Sequence, residues 1–272
     1  MASSNYYLEE KISQSLKKTE KSENIVWLKT AEKKEILALL SPSNTVDLQG
    51  GVIILADLYQ NPDWPVTVHG LRKHLPNFGW DTLSVQLPIP VAHPNNAELD
   101  KAYELTRQRI ESAIAYFKAR NINNINMIGI NQSANFTLKY AETLPATDKQ
   151  IQSIVCIRAY DSDWLISSEL VKNIAIPLLD IYPEHDSDII LESAKKRLIA
   201  ANFAGKLQTL TKPLELSAKV QKLAINKTGN LRYRQKSING ANYHFDKLEH
   251  TLFKVIRGWM AVYASGKEVE VN

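Results

Sequence analysis

The sequence lacks several features that would place it in a common functional class. It contains one cysteine in 272 residues, Cys156, so no intramolecular disulfide can form and cysteine ligands cannot build a metal site. No apolar run approaches the roughly 18 to 20 residues of a membrane-spanning helix. The sequence also has no glycine-rich phosphate loop, no H-E-x-x-H motif and no C-x-x-C pair. We therefore predict no metal, no cofactor and no transmembrane segment.

Charge of one sign is not concentrated anywhere along the chain. The 33 basic and 29 acidic residues are well mixed and give a net charge of +4, which argues against a nucleic-acid-binding arm. A composition of 44% hydrophobic and 23% charged residues is typical of one domain with a large buried core. We predict an N-terminal helical or flexible segment over residues 1–24, a single domain over 25–265 and a C-terminal tail over 266–272.

Apolar runs of strand length alternate with segments of helical periodicity. NIVWLKT, EILALLSP, GGVIILADL, DTLSVQLP, INMIGI, IQSIVCI, IPLLDIY and LRYRQKSI are predicted strands, and amphipathic helices separate most of them. Parallel strands need such crossover connections, so the pattern predicts an α/β fold with a mostly parallel central sheet and helices on both faces. Only about 16 residues separate VCIRAY from IPLLDIY, which leaves no room there for a large lid domain. Residues 205–230 are predicted to form a covering helix, with a partner-binding surface as the alternative.

The residues that follow strands are the first candidates for a site, because ligands of parallel sheets bind beyond the carboxyl ends of the strands. At one such end, GINQSAN (residues 129–135) takes a predicted strand directly into a helix. The chain order of this turn, then an aspartate, then His244 resembles that of the α/β-hydrolase superfamily. PDWP, GWDTLSVQLP, IPLLDIY and RGWM further resemble an uncharacterised bacterial family of α/β-hydrolase-like proteins, over about residues 25–262.

The resemblance implies roles for two residues and a location for the protein. His244 stands where the catalytic histidine belongs, and Asp186 stands where the acid belongs. Asp188 is the close alternative for the acid, whereas Asp180 lies inside a predicted strand and is a poorer candidate. Members of the family are usually secreted to the periplasm, so a periplasmic or secreted location is expected, with a cytoplasmic one as the alternative. His69 and Gly70 form a His-Gly pair, but it falls within a predicted helix and receives no catalytic role.

The turn itself departs from the hydrolase pattern. Asn131 occupies the nucleophile position, and a carboxamide has no proton to give a general base, so it is not an acyl-transfer nucleophile. Asparagine does tolerate a positive-φ backbone, which such a turn needs. Ser133 comes two positions later, roughly 200° around a nascent helix, and is predicted to pack or cap. These observations indicate a turn that has kept its shape and lost its reactive atom.

A second departure lies after the strand GGVIILADL. Many α/β hydrolases have a His-Gly pair there, beside the oxyanion hole, whereas this chain has Ala56 and Asp57. A carboxylate facing that hole opposes the negative charge of a tetrahedral intermediate, although Asp57 could instead turn outward or cap the next segment. We predict a non-catalytic hydrolase-fold protein that binds a partner protein or small ligand, with Ala56, Asp57 and Gln132 at the binding site. The alternative is an atypical ester or amide hydrolase that uses Ser133 or a water activated by His244 and Asp186.

Overall fold

The computed structural model describes residues 5–145, 150–209 and 232–264. Its centre is an eight-stranded sheet in the order β1-β2-β4-β3-β5-β6-β7-β8. The β1–β2 and β2–β4 pairs are antiparallel and all other neighbours are parallel, which confirms the predicted mostly parallel sheet. The strands are β1 (Ile25–Lys29), β2 (Glu35–Ser41), β3 (Gly50–Leu55), β4 (Trp80–Val85), β5 (Ile125–Ile130), β6 (Ile151–Ile157), β7 (Leu178–Pro183) and β8 (Tyr233–Ile238).

Helices cover both faces of this sheet. The described helices are α1 (Tyr6–Thr19), α2 (Thr67–His74), α3 (Asn96–Ala119), α4 (Gln132–Glu142), α5 (Ser167–Leu170), α6 (Asp188–Thr209) and α7 (Glu249–Tyr263), with 3-10 turns at Ser22–Asn24 and Leu75–Phe78. The predicted helix at residues 205–230 lies mostly outside the described residues. Among the described helices, none is long and apolar enough to cross a membrane. The β6–β7 link contains only the four-residue α5, and no lid domain is inserted in the described part of the chain.

The central strands are buried on both faces, as their continuous apolar runs predicted. Ile53 and Leu55 of β3 pack into one core cluster with α3 and α4. Val52 and Ile54 point the other way, into a second cluster with α2 and α7. All four side chains are fully buried, because alternate residues of a strand face opposite sides of the sheet.

The N-terminal segment forms a helix that is packed on the domain. Leu16 of α1 lies in a small apolar cluster with Leu37 and Leu39 of β2. The Arg109 guanidinium of α3 donates to both carboxylate oxygens of Glu9, at 3.1 and 3.0 Å. Both of these charged side chains are buried, so α1 is tied to the domain by packing and by a buried ion pair.

Candidate functional site

The turn between β5 and α4 keeps the geometry of a nucleophile elbow. Asn131 lies between the two elements with φ 55° and ψ −119°, which confirms the predicted positive φ. A Cβ at Gly129 would lie 2.3 Å from Thr137 Oγ1 and 2.5 Å from the Ser133 carbonyl oxygen. Only glycine fits at that position, because α4 crosses so close to the end of β5.

Asp57 follows β3 and faces this turn. Its Oδ1 accepts the backbone N–H groups of Leu58 at 2.8 Å and of Gln132 at 3.1 Å. Its Oδ2 accepts the side-chain amide of Asn131 at 2.9 Å. Burial raises the pKa of Asp57, and the hydrogen bonds from Asn131, Gln132 and Leu58 together with the Arg158 charge only partly oppose it. Of the orientations considered from the sequence, the carboxylate faces the turn and also accepts the first N–H of the following segment, and it does not point outward.

Arg158 is the residue that sequence reasoning missed. It follows β6 directly, has φ 59° and is 6% exposed. One guanidinium nitrogen donates to Asn131 Oδ1 at 2.5 Å, and the other two hold Asp186 in a bidentate pair at 2.5 and 2.8 Å. The Tyr243 ring covers the guanidinium, 3.7 Å from the ring centroid to the guanidinium carbon. The position immediately after a strand was the available signal, since the same rule selected Asp57 and Asn131.

The structure brings Asp186 into the site, but with an unexpected partner. Burial on its own would raise the pKa of Asp186, yet hydrogen bonds from Arg158 and the Ser187 N–H, with the Arg158 charge, lower it. Among the described residues, no hydrogen bond joins Asp186 to His244. Of the alternatives for the acid, Asp188 is exposed at the start of α6, and Asp180 is buried in β7 against Arg197 at 2.8 Å.

His244 lies at the rim of the site, not within its polar network. Its side chain is exposed, its ring packs edge-on against Tyr243 with centroids 4.5 Å apart, and its backbone N–H donates to Asn242 Oδ1. It lines the same small cavity as Asn131 and Arg158, with a volume of about 30 Å³. A cavity of this size accommodates about one water molecule, and the exposed Trp64 and Tyr243 also line it.

Three other predicted site residues are buried close to the turn. Ser133 is fully buried; its Oγ is 2.7 Å from the Leu55 carbonyl oxygen and accepts the Ile130 N–H at 2.7 Å. Ala56 is 1% exposed and packs in the core. Gln132 is 7% exposed, and its side-chain oxygen accepts the Tyr160 hydroxyl at 2.6 Å. Ser133 is therefore engaged as the packing and capping residue expected from its spacing.

The described part of the chain contains no candidate metal site. Across residues 5–145, 150–209 and 232–264, no group of three or more histidine, cysteine, aspartate or glutamate side chains is placed to hold an ion. His69 of the His-Gly pair lies on α2, as predicted, and its ring nitrogen is 2.9 Å from Asp63 Oδ1.

Comparison with known proteins identifies the fold of the chain. A family model described as "Protein of unknown function (DUF3530)" matches residues 5–102. A search of the curated proteins found no match. The esterase Pf2001 from Pyrococcus furiosus superposes with a TM-score of 0.63 at 10% identity, covering 89% of this chain and 92% of the esterase. A dienelactone hydrolase from Anabaena variabilis gives a TM-score of 0.61 at 13% identity, covering 88% and 96%.

A third solved structure is similar over the same extent. XC6422 from Xanthomonas campestris, described as an α/β serine hydrolase without lid, gives a TM-score of 0.59 at 12% identity and covers 87% of this chain and 92% of its own. Identities of this size establish the fold and leave the reaction to be argued from the site. The chain has the α/β-hydrolase fold.

Proposed function

We propose that this protein is a non-catalytic member of the α/β-hydrolase fold, which acts by binding a partner protein at the carboxyl end of its sheet. The observation that carries the proposal is the position of Asp57 Oδ1, which accepts the N–H groups of both Leu58 and Gln132. In hydrolases of this fold, the N–H after the nucleophile and one from the loop after the first central strand form the oxyanion hole. Here a carboxylate of the chain itself occupies both donors.

The missing nucleophile supports the same conclusion. The Asn131 amide donates to Asp57 and accepts from Arg158, so both ends of the carboxamide are engaged in structural hydrogen bonds. The Ser133 hydroxyl is fully buried and bonded to backbone, which removes the support for a displaced serine nucleophile. A water activated by a His244–Asp186 pair also lacks support, because Arg158 holds both Asp186 oxygens.

The shape of the site favours a protein partner over a small ligand. The cavity at Asn131 has a volume of about 30 Å³, whereas small-molecule sites occupy roughly 300 to 1,000 Å³. Among the residues that line it, Trp64, Val66 and Tyr243 are 39%, 38% and 44% exposed. Exposed aromatic side chains such as Trp64 and Tyr243, placed beside a polar network, are typical of the central residues of protein interfaces.

The catalytic half of the proposal is tested with p-nitrophenyl acetate and butyrate and a fluorophosphonate probe. We expect no turnover above the buffer rate and no labelling of the wild-type protein. Turnover that His244→Ala abolishes, or labelling that Ser133→Ala abolishes, would overturn the non-catalytic assignment. Asn131→Ser is also expected to stay inactive, since Asp57 still fills the two backbone donors.

The binding half is tested by photocrosslinking in cells of the source organism. A photoreactive amino acid at Tyr243 is expected to give a discrete crosslinked species. The same group at Val46, which is fully exposed on another loop, provides the control and is expected to give none. If positions 243 and 46 gave the same products, or none at all, the proposed interface would be wrong.

A further inference from the structure

Helix α6 presents its largest apolar side chains to water. Ile189, Ile199 and Phe203 are 51%, 70% and 64% exposed, although an amphipathic helix on a sheet normally turns such residues inward. Apart from Ile190, the face that packs on the domain instead consists of small or hydrogen-bonded side chains, all of them buried: Ser193, Ala194, Arg197, Ala200, Ala201 and Ala204. The inward face therefore holds the helix on the domain, and the three large apolar residues are left on the outside.

The outward positions of α6 repeat with the spacing of a helix–helix contact. Ile189, Glu192, Lys196, Ile199 and Phe203 follow one another at intervals of three, four, three and four residues, and all five are exposed. This alternation of three and four keeps one line of side chains facing a neighbouring helix. With a rise of 1.5 Å per residue, the line is roughly 21 Å long.

The order of charged and apolar residues along this line is self-complementary. Glu192 and Lys196 each lie two residues from position 194, and Ile189 and Ile199 each lie five residues from it. Two copies of α6 that pack antiparallel about a two-fold axis at position 194 therefore bring Glu192 against Lys196 twice, and Ile189 against Ile199 twice. A two-fold contact requires this property, because residue i meets residue j while residue j meets residue i.

Both charged groups are accessible to a second molecule. Glu192 is exposed and forms no ion pair with another described residue, including Lys196 one turn away. The Lys196 ammonium lies 3.7 Å from Asp161 Oδ2, and the lysine side chain is still 60% exposed. An incoming helix can therefore offer a cation to Glu192 and a carboxylate to Lys196.

We propose that the outward face of α6 is the contact between two copies of this chain, packed antiparallel about a two-fold axis at position 194. Two Glu192–Lys196 pairs form the centre of the contact, and an Ile189–Ile199 contact lies on each side of it. Exposed apolar groups mark interaction surfaces in general, and the symmetric order of the charges selects a second copy as the occupant. One helix pair buries less than the roughly 1,200 to 2,000 Å² of a stable interface, so we expect a Kd of about 10 to 100 µM.

Sedimentation equilibrium of the full chain over about 5 to 500 µM measures this association. We expect a monomer–dimer equilibrium for the wild type and a Kd raised about tenfold or more by Ile199→Glu, which places a charge in the apolar part of the contact. The matched control is Val262→Glu, which makes the same change at an exposed apolar residue of α7. This control should associate as the wild type does.

Charge reversal tests the register of the two helices. Glu192→Lys alone opposes lysine to lysine at both central pairs, and Lys196→Glu alone opposes glutamate to glutamate, so each variant is expected to be monomeric at about 100 µM. An equimolar mixture of the two variants should recover the dimer, because both central pairs then join opposite charges. An effect confined to the folding of one chain cannot produce recovery on mixing. Lys254→Glu, at an exposed position of α7, is the control for charge reversal and should dimerise.

A wild type that stays monomeric at about 500 µM would overturn the proposal. A dimer that Ile199→Glu leaves intact, or a mixture of the two charge variants that does not associate, would do so as well. A photoreactive amino acid at position 199 identifies the occupant of the face. We expect a crosslinked dimer, whereas a crosslink within one chain would overturn the proposal. These results are independent of the elbow, because no residue of the α6 contact lines the cavity at Asn131.

Discussion

The Asn131 side-chain amide donates a hydrogen bond to the Asp57 carboxylate, with Nδ2 and Oδ2 2.9 Å apart. This contact connects the end of β5 with the end of β3, the two strands that pair at the centre of the sheet. On its other side the same amide accepts from Arg158, which is paired with Asp186 after β7. One asparagine therefore joins the ends of four neighbouring strands into a single polar network.

Replacing Asn131 should separate its side-chain role from its backbone role. Asn131→Ala leaves buried groups of Asp57 and Arg158 without a partner and places alanine at positive φ, so we expect a loss of about 2 to 4 kcal/mol in unfolding free energy. Asn131→Gly loses the same hydrogen bonds without the backbone strain and should be about 1 to 2 kcal/mol more stable than the alanine variant. Urea unfolding measures both, and equal stabilities would contradict the strained-turn interpretation.

Ser133 is expected to matter for stability and not for reactivity. Ser133→Ala removes a buried hydroxyl that bonds to the backbone at the ends of β3 and β5, and should lower the unfolding free energy by about 1 to 2 kcal/mol. Ser22→Ala, at an exposed position, is the control and should change it by less than about 0.5 kcal/mol. A Ser133→Ala protein as stable as the wild type would show that the hydroxyl is not the structural group described above.

The buried ion pair between Glu9 and Arg109 should make α1 unfold together with the rest of the domain. Glu9→Gln leaves the buried Arg109 charge without its carboxylate partner, and the expected loss is about 3 kcal/mol. Glu10→Gln changes the adjacent, exposed side chain and serves as the control. Chemical denaturation of both variants measures their unfolding free energies. A single transition shifted only by Glu9→Gln supports an integral α1, whereas no shift would indicate that residues 1–24 are separate from the domain.

Protonation of His74 should make the free energy of unfolding depend on pH. It lies on α2 with its ring 5.8 Å from that of His250 and against Phe253 of α7. Burial lowers the pKa of His74, and the charges of His250 and Arg257 lower it further. The unfolded chain therefore takes up this proton at a higher pH than the folded protein does. Stability is fully present above the ordinary histidine pKa of about 6.5 and declines as the pH falls below it.

Thermal unfolding between about pH 8 and pH 5 measures this effect. The melting temperature of the wild type should fall over that interval, and His74→Gln should reduce the fall, since glutamine cannot take up the proton. His93→Gln, on an exposed loop, is the matched control and should follow the wild type. A variant at position 74 with an undiminished pH dependence would assign the titration to another group.

Much of the fold followed from the sequence because its signals were local. Continuous apolar runs such as the one around Ile53 indicated strands buried on both faces, and Asn131 between a strand and a helix indicated a positive φ. The order of the strands in the sheet required the structure, because it depends on contacts between distant segments.

The sequence indicated which residues would lie near the elbow better than it indicated which side chains would form hydrogen bonds there. The rule that sites lie after strands selected Asp57, Asn131 and Asp186, which one hydrogen-bond network joins in the structure, and it applies equally to Arg158. The hydrogen-bond partner of Asp186 depends on the side-chain rotamers of a densely packed region. The long arginine after β6 reaches it, while His244 is on an exposed turn with Tyr243 beside it. No local sequence pattern contains that information.

The tight crossing at Gly129 has a consequence for engineering. In building a new hydrolase, the hardest requirement is a backbone that holds one side chain at positive φ against a helix start, since packing from several elements must support it. This chain already meets that requirement, with Asn131 at the apex of the turn. Under the proposed function, it offers protein design a prepared frame in which a serine at position 131, a free pair of backbone donors at Leu58 and Gln132, and an Asp186 released from Arg158 would be the first changes toward an active centre.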